Sequence, residues 1–258
     1  MTTSLVITIY NAPRQLQLCL NSVLRQTVMP DEVIIADDGS RDDTRELIDH
    51  LRLQFTVPLR HVWHEDEGFR LAAIRNKAIA AATGDYIIQI DGDIILNRHF
   101  VEDHIRFAVP RTVVLGSRSK LSEEKTRQVL DSAGDFEPGF FMKGLERRDS
   151  AFRCPLISPL FFGSRHTVGC NMAFWRSDLL AVNGYDEAFT GWGHEERDLV
   201  LRLQLTGIKK RKLKYAAIQY HLWHKEQSRD NVERNARIIA ERRKSGVTWV
   251  SEGIVKHR

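Results

Sequence analysis

Cysteine is scarce in this 258-residue chain. Cys19, Cys154 and Cys170 are odd in number, widely spaced, and without a CxxC pair or a histidine at zinc-finger spacing, so neither a disulfide framework nor a structural zinc is expected. Long hydrophobic runs are missing as well: nowhere do about twenty consecutive apolar residues occur, and no membrane-spanning helix is predicted. The first residues lack the basic and extended apolar regions of a signal peptide, and Leu5 to Ile9 reads instead as a first core strand. Net charge is small. Lys and Arg number 38 against 34 Asp and Glu, and an excess of +4 does not by itself imply a nucleic-acid binder. There is no internal repeat or low-complexity stretch. These absences lead to the expectation of a cytoplasmic protein, peripheral to a membrane at most. A hydrophobic content of 42% suffices for one large α/β domain with a substantial core.

What is present is an alternation of strand and helix. Leu5 to Tyr10 is a β-rich apolar run; Pro13 suits a first helical turn, and Leu16, Leu20, Val23 and Leu24 follow at helical spacing. Glu32 to Ala36 forms the next strand, and Asp42-Asp43 open a helix carrying Leu47, Ile48 and Leu51. A strand over Leu59 to Trp63, an alanine-rich helix over Ala72 to Ala82 and a strand over Asp85 to Ile90 complete the series. The pattern predicts a Rossmann-like, doubly wound, mostly parallel sheet whose ligands collect at the carboxyl ends of its strands. After Asn97 the rhythm weakens. Glu123 to Leu130 reads as helix, whereas 135–144 and 155–163 read as irregular or lid-like. A second half resumes with a strand over Val168 to Trp175, a turn at Asn183-Gly184, a helix from Glu195 to Leu205 and a basic helical tail over Asn231 to Lys244.

Four clusters carry chemistry. Asp91-Gly92-Asp93 leaves a strand end, where two carboxylates suit a divalent cation, Mn²⁺ or Mg²⁺, that completes its shell with substrate phosphates; a plain surface turn is the alternative. Asp37-Asp38-Gly39-Ser40 sits at the end of another strand, placed to accept hydrogen bonds from a base or ribose. Arg75-Asn76, near a helix start, suits a phosphate or else a solvated helix face. In the second half, Gly191-Trp192-Gly193-His194-Glu195-Glu196-Arg197-Asp198 places paired carboxylates after an aromatic loop, suiting a general base or, more simply, a helix start enriched in acids.

Thr8-Ile9-Tyr10-Asn11, Asp37-Asp38-Gly39-Ser40, Arg75-Asn76 and Asp91-Gly92-Asp93, in this order, resemble the nucleotide-sugar half of glycosyltransferase family 2, whose fold is called GT-A. The resemblance spans roughly the first hundred residues and implies that Thr8 and Asn11 line the nucleotide pocket. It further implies that Asp38, with Asp37 nearby, contacts the base, that Arg75 and its neighbour Asn76 reach base or phosphate, that Asp91 touches ribose or metal, and that Asp93 binds the metal. The segment around Trp192 is similar to the acceptor-side motif of galactosyltransferases and chondroitin polymerases. By position, Glu196 is then the base beside Glu195, Trp192 offers a ring to a pyranose, and Asn171 reaches the sugars. His194, Glu196 and Arg197 depart from the galactosyltransferase pattern, which leaves the sugar and acceptor open. A metal-binding histidine is implied near Tyr220 to Lys225; His224 is preferred to His221.

The expectation is therefore one GT-A domain: a nucleotide-sugar half over 1–100, an acceptor half over 101–225 and a basic tail over 226–258. It would transfer a hexose or N-acetylhexosamine, with inversion, from a UDP-sugar to a saccharide or lipid-linked saccharide, without nucleic acid as partner. Two alternatives are a sugar-phosphate nucleotidyltransferase and a non-catalytic basic module that binds membrane or polyanion through Lys209-Lys210-Arg211-Lys212 and the tail.

Overall fold

Aliphatic and β-branched runs form the centre of the molecule, and a computed structural model describes residues 1–132, 136–161, 163, 169–191, 193–225 and 231–258. In the first part β1 (Thr3–Ile9), β2 (Glu32–Asp37), β3 (Leu59–Trp63) and β4 (Tyr86–Asp91) alternate with α1 (Pro13–Leu24), α2 (Asp42–Arg52) and α3 (Leu71–Ala81). Every residue of β1 and β2 is buried, because helices cover both faces of the sheet. Leu5 and Ile7 point into the apolar layer under α1 and α2, and Val6 into the layer under α3.

Beyond Asp91 come β5 (Ile94–Leu96), α4 (Phe100–Arg106), β6 (Thr112–Gly116), β7 (Ser119–Leu121), α5 (Glu123–Asp131) and the short β8 (Leu145–Glu146). These are followed by β9 (Asn171–Trp175), α6 (Arg176–Ala181), α7 (Glu195–Leu205), β10 (Lys209–Leu213), β11 (Gln219–His221) and α8 (Val232–Ser245). The main sheet has the order β10-β6-β9-β4-β1-β2-β3, and a second sheet has the order β5-β11-β7-β8. In the main sheet β9 alone runs antiparallel to its neighbours β4 and β6, so the expected mostly parallel sheet is observed with one reversed strand. Strand order reverses at β1, which has β2 on one side and β4 on the other. This is the topological switch point where open α/β sheets bind ligands.

The expected irregular segment 155–163 contains 3-10 helix at Pro155–Phe161, and a shorter 3-10 turn, Arg148–Ala151, lies between the two expected segments. Val168, expected to begin a strand, lies outside the described residues. Lys209 to Lys212, considered as a basic binding run, forms the edge strand β10, parallel to β6 and ending in buried Leu213. The tail is docked as well. Asn235 of α8 is buried, and Arg242 donates to Asp198 Oδ1 at 3.0 Å and also pairs with Asp186. Asp198 in turn holds Arg202, whose other donors reach the carbonyls of Val182 and Gly184 at 2.8 and 2.6 Å. Among the described residues no helix is long and apolar enough to cross a membrane.

Both Asp198 and Arg202 are fully buried, so deleting one partner strands a charge. Asp198→Ala is expected to lower unfolding stability by about 3–5 kcal/mol in urea titrations. A loss smaller than about 1 kcal/mol would show that the two arginines are satisfied without it.

Candidate active site

Parallel register sets the site. Pairing of β1 with β4 places Thr8 opposite Asp91, and pairing with β2 places Ile9 opposite Asp37, so three polar strand ends emerge together. They open into a cleft of about 300 Å³ lined by Thr8, Tyr10, Asp38, Asp91, Asp93 and His224 among others. The Thr8 hydroxyl lies 3.0 Å from Asp91 Oδ1. Asp38 is buried, its Oδ1 2.7 Å from His64 Nε2 and its Oδ2 accepting the Arg70 N–H at 3.0 Å. Each oxygen keeps a lone pair for a ligand, and the carboxylate is aimed by these two contacts.

Two residues expected in the pocket serve the turns around it. Asp37 accepts the Ser40 N–H at 2.8 Å and lies 2.9 Å from His61 Nε2, which fixes the loop after β2 without lining the cleft. Asn11, at φ 46°, donates its N–H to Ser40 Oγ and accepts the Arg41 N–H, tying the loops after β1 and β2 together at the rim. Gly39 has φ +98°, and a Cβ there would press on the Asp66 backbone at 2.6 Å; only glycine fits that approach.

On the opposite wall Asp93, His221 and His224 bring ligand atoms within 4.8 Å of one another. The Nε2 atoms of His221 and His224 lie 3.5 and 3.3 Å from Asp93 Oδ2. Each histidine has its Nδ1 beside a backbone carbonyl, that of Leu222 or Lys225. A carbonyl only accepts, so Nδ1 carries a proton in each ring and Nε2 is the nitrogen turned toward Asp93, the orientation a metal ligand needs. Asp93 Oδ1 is buried with no hydrogen-bond partner among the described residues. Burial pushes the Asp93 carboxyl up and the His221 imidazole down, and each opposes the other's shift. Two imidazoles and a carboxylate with one unpartnered oxygen fit a divalent cation. His221 stands beside Asp93 together with the preferred His224. Antiparallel pairing of β11 with β5 sets His221 opposite Ile94, next to Asp93.

Arg75 does not line the cleft; it bridges the halves of the site from within. With 1% of its side chain exposed, it places Nη2 3.2 Å from Asp91 Oδ1 and Nη1 3.1 and 3.4 Å from the Oε1 atoms of Glu196 and Glu195. Its guanidinium carbon lies 5.4 Å from the centre of the Tyr185 ring. Burial disfavours the cation, but Tyr185 and the three carboxylates outweigh it and hold Arg75 more firmly protonated than usual. Glu195 is pushed well above the usual carboxylate range by its own burial and then by the charge of Glu196, with Arg75 opposing both. Glu196 is the more exposed of the pair, and a Cβ at Gly169 would overlap its Oε1, so a bare backbone packs against the carboxylate. Neither Tyr185 nor Gly169 carried any local signal of this role.

Two amides expected to touch ligands are struts. Asn76 donates to the carbonyl of Tyr185 and to Glu187 Oε1, both at 2.9 Å, and accepts the Tyr185 N–H at 2.8 Å. Asn171 is wholly buried; it accepts from His104 Nε2 at 3.0 Å and donates to the carbonyls of Ser117 and Ala217. Burial holds His104 neutral, its pKa pushed down to about 4. Both asparagines spend their hydrogen bonds inside the protein, which corrects the assignment of Asn76 to the donor and Asn171 to the acceptor. Trp192 lies outside the described residues.

The model of the family described as "Glycosyl transferase family 2" matches residues 4–178. The chain belongs to glycosyl transferase family 2. A second model, described as "N-terminal domain of galactosyltransferase", matches residues 160–225 of this family 2 chain, which bears out the acceptor-side resemblance. Among curated relatives, validoxylamine A glucosyltransferase of Streptomyces hygroscopicus subsp. limoneus is 29% identical over 227 residues, covering 80% of this chain and 48% of that protein. Chondroitin synthase of Escherichia coli is 27% identical over 243 residues, covering 84% and 34%. Hyaluronan synthase of Pasteurella multocida is 37% identical over 231 residues, covering 78% and 22%. The chain thus spans less than half the length of each of these relatives. Of solved structures, S. aureus TarS 1-349 in complex with UDP superposes with a TM-score of 0.64 at 20% identity, covering 93% of this chain and 65% of that one. Mannosyltransferase PcManGT from Pyrobaculum calidifontis, in complex with GDP-Man and Mn²⁺, does so at 0.59 and 16%, covering 94% and 61%. These structural likenesses show the shared Rossmann-like α/β fold.

Mn²⁺ titrated into the protein and followed by calorimetry or electron paramagnetic resonance is expected to bind at one site. Asp93→Asn, His221→Ala and His224→Ala should each weaken it by at least about tenfold. Unchanged affinity in all three variants would place the metal elsewhere.

Proposed function

We propose that this chain forms a single catalytic domain of GT-A type that transfers a hexose or N-acetylhexosamine, with inversion, from a UDP-sugar to a saccharide hydroxyl. Residues 1–100 bind the donor, 101–225 the acceptor, and the 226–258 tail braces the acceptor side. The reading rests above all on Arg75: it ties Asp91, in the cleft beside the metal-ligand cluster, directly to the Glu195–Glu196 pair. A donor-binding wall and a candidate general base therefore stand next to each other at the same strand ends. Relatives named as a glucosyltransferase, a chondroitin synthase and a hyaluronan synthase support a sugar transferase acting in polysaccharide or glycolipid synthesis. Neighbours described in complex with UDP, UDP-GlcNAc, and GDP-Man with Mn²⁺ support a nucleotide-sugar donor.

In this mechanism Asp38 accepts hydrogen bonds from the base, and Asp91 and Thr8 receive the ribose. Asp93, His221 and His224 would hold a divalent cation, whose Lewis acidity would offset negative charge on the departing diphosphate. Glu196 takes the proton of the acceptor hydroxyl as its oxygen bonds to the anomeric carbon. The bond from that carbon to the diphosphate oxygen breaks, and nucleoside diphosphate leaves. A single displacement inverts the anomeric centre. Arg75 keeps Glu196 oriented, while Glu195, buried and biased toward the neutral acid, spares the cluster a further negative charge.

Nucleoside diphosphate release from a panel of UDP- and GDP-sugars, with saccharide acceptors and Mn²⁺, tests the reading. Release that requires the metal and is abolished in Asp93→Ala is expected; silence across the panel would refute it. Glu196→Gln should lower kcat by about 10²–10⁴-fold with little change in donor KM, and a loss of only a few-fold would place the base elsewhere. Arg75→Met should lower kcat and move the acidic limb of the pH profile upward, because carboxylates deprived of a cation bind protons more tightly. A parent-like profile would remove Arg75 from the mechanism.

A further inference from the structure

Away from the cleft, five aromatic rings form an unbroken ridge. Phe141 meets Phe140 with centroids 5.0 Å apart, Phe140 meets Phe152 at 5.5 Å, Phe152 meets Tyr215 at 5.8 Å and Tyr215 meets Phe161 at 5.1 Å. Phe141 is 89% exposed at one end; on the 3-10 helix that ends in Phe161, Leu156 and Leu160 are 79% and 80% exposed. A contiguous apolar surface of this kind marks an interaction face. Cations edge it. Lys214 Nζ lies 4.7 Å from the Tyr215 ring centre and 5.3 Å from that of Phe161, and the Arg148 guanidinium lies 6.0 Å from Phe140. The same 3-10 helix packs against β10, the Lys209–Leu213 edge strand.

Charge is distributed unevenly as a result. Segments 136–161 and 209–214 hold nine Lys and Arg against three Asp and Glu, although the whole chain has an excess of only four. The rest of the protein is therefore net acidic, and the positive excess lies in the segments that carry the bare leucines and the edge strand beside them. A second copy docking here would set two such faces against each other and repel. A soluble polyanion would match the lysines and leave the leucines in water.

We propose that this face seats the protein on an anionic lipid bilayer. Phe141, Leu156 and Leu160 enter the boundary between headgroups and acyl chains, while Arg148, Lys214 and the lysines of β10 meet lipid phosphates. The proposal is independent of the chemistry in the cleft and is tested without turnover. Co-sedimentation of the full chain is measured with phosphatidylcholine vesicles with and without phosphatidylglycerol, at low and high salt. Binding is expected only with phosphatidylglycerol and should weaken as salt rises. The double variant Leu156→Asp/Leu160→Asp should lose at least about tenfold in partitioning while keeping the parental melting temperature, since both side chains lie mostly in solvent. Parent-like binding by that variant overturns the proposal, as does salt-sensitive capture of a soluble polyanion that leaves vesicles unbound. So does loss of vesicle binding in Arg243→Glu/Lys244→Glu on α8 in place of the leucine pair. Light scattering that shows a dimer split by the leucine variant would identify the face as a self-association surface, which also overturns it.

Discussion

Removing an arginine from water costs several kcal/mol, and Arg75 is buried almost completely. The cost is offset because the guanidinium meets three carboxylates and a tyrosine ring at once, supplied by three separate parts of the chain. Asp91 ends a central strand, Glu195 and Glu196 open a helix more than a hundred residues later, and Tyr185 lies in the turn that precedes that helix. Arg75 itself sits on α3, whose Asn76 clamps the backbone of Tyr185. One helix therefore sets the distance between the two walls of the site. The same contact divides labour between adjacent acids, leaving Glu195 buried and biased toward its neutral form and Glu196 nearer solvent.

The second wall is built by sheet geometry. Asp93 lies just beyond β4, in the turn to β5, and β11 returns antiparallel to β5 so that His221 reaches it. Orientation is then local: a carbonyl at each Nδ1 turns Nε2 inward. Two buried His–Asp contacts below the other strand ends, His61 with Asp37 and His64 with Asp38, brace the nucleotide side in the same manner. Most polar groups around the cleft thus support the few that face into it.

The tail repeats this economy of buried charge on a larger scale. Arg242 of α8 and Arg202 of α7 share Asp198, while Asn235 donates to the Gly193 carbonyl and Arg234 to the Thr190 hydroxyl. The basic helix is thereby fastened to the loop that leads into Glu195 and Glu196. Arg242 is committed to acids inside the fold, and the cation-rich face lies elsewhere, along β10 and the aromatic ridge.

Hydrophobic periodicity determined the βα series nearly to the residue, Leu59–Trp63 and Glu195–Leu205 without error, because a buried strand or helix is written in its neighbours along the chain. The acidic strand ends were legible for the same reason: Asp38, Asp91 and Asp93 lie within three residues of the end of an apolar run, and each lines the cleft. Residue type could not distinguish a ligand contact from a strut. Asn76, Asn171 and Asp37 carry the polar groups that a sugar or nucleotide would use, yet each spends them on the protein, with at least one partner 24 to 111 residues away. Whether Arg75 faced a phosphate or a carboxylate, and whether one histidine or two joined Asp93, depended likewise on contacts between distant segments. Local pattern records burial and period; only tertiary packing decides which polar groups are already satisfied and which remain for chemistry.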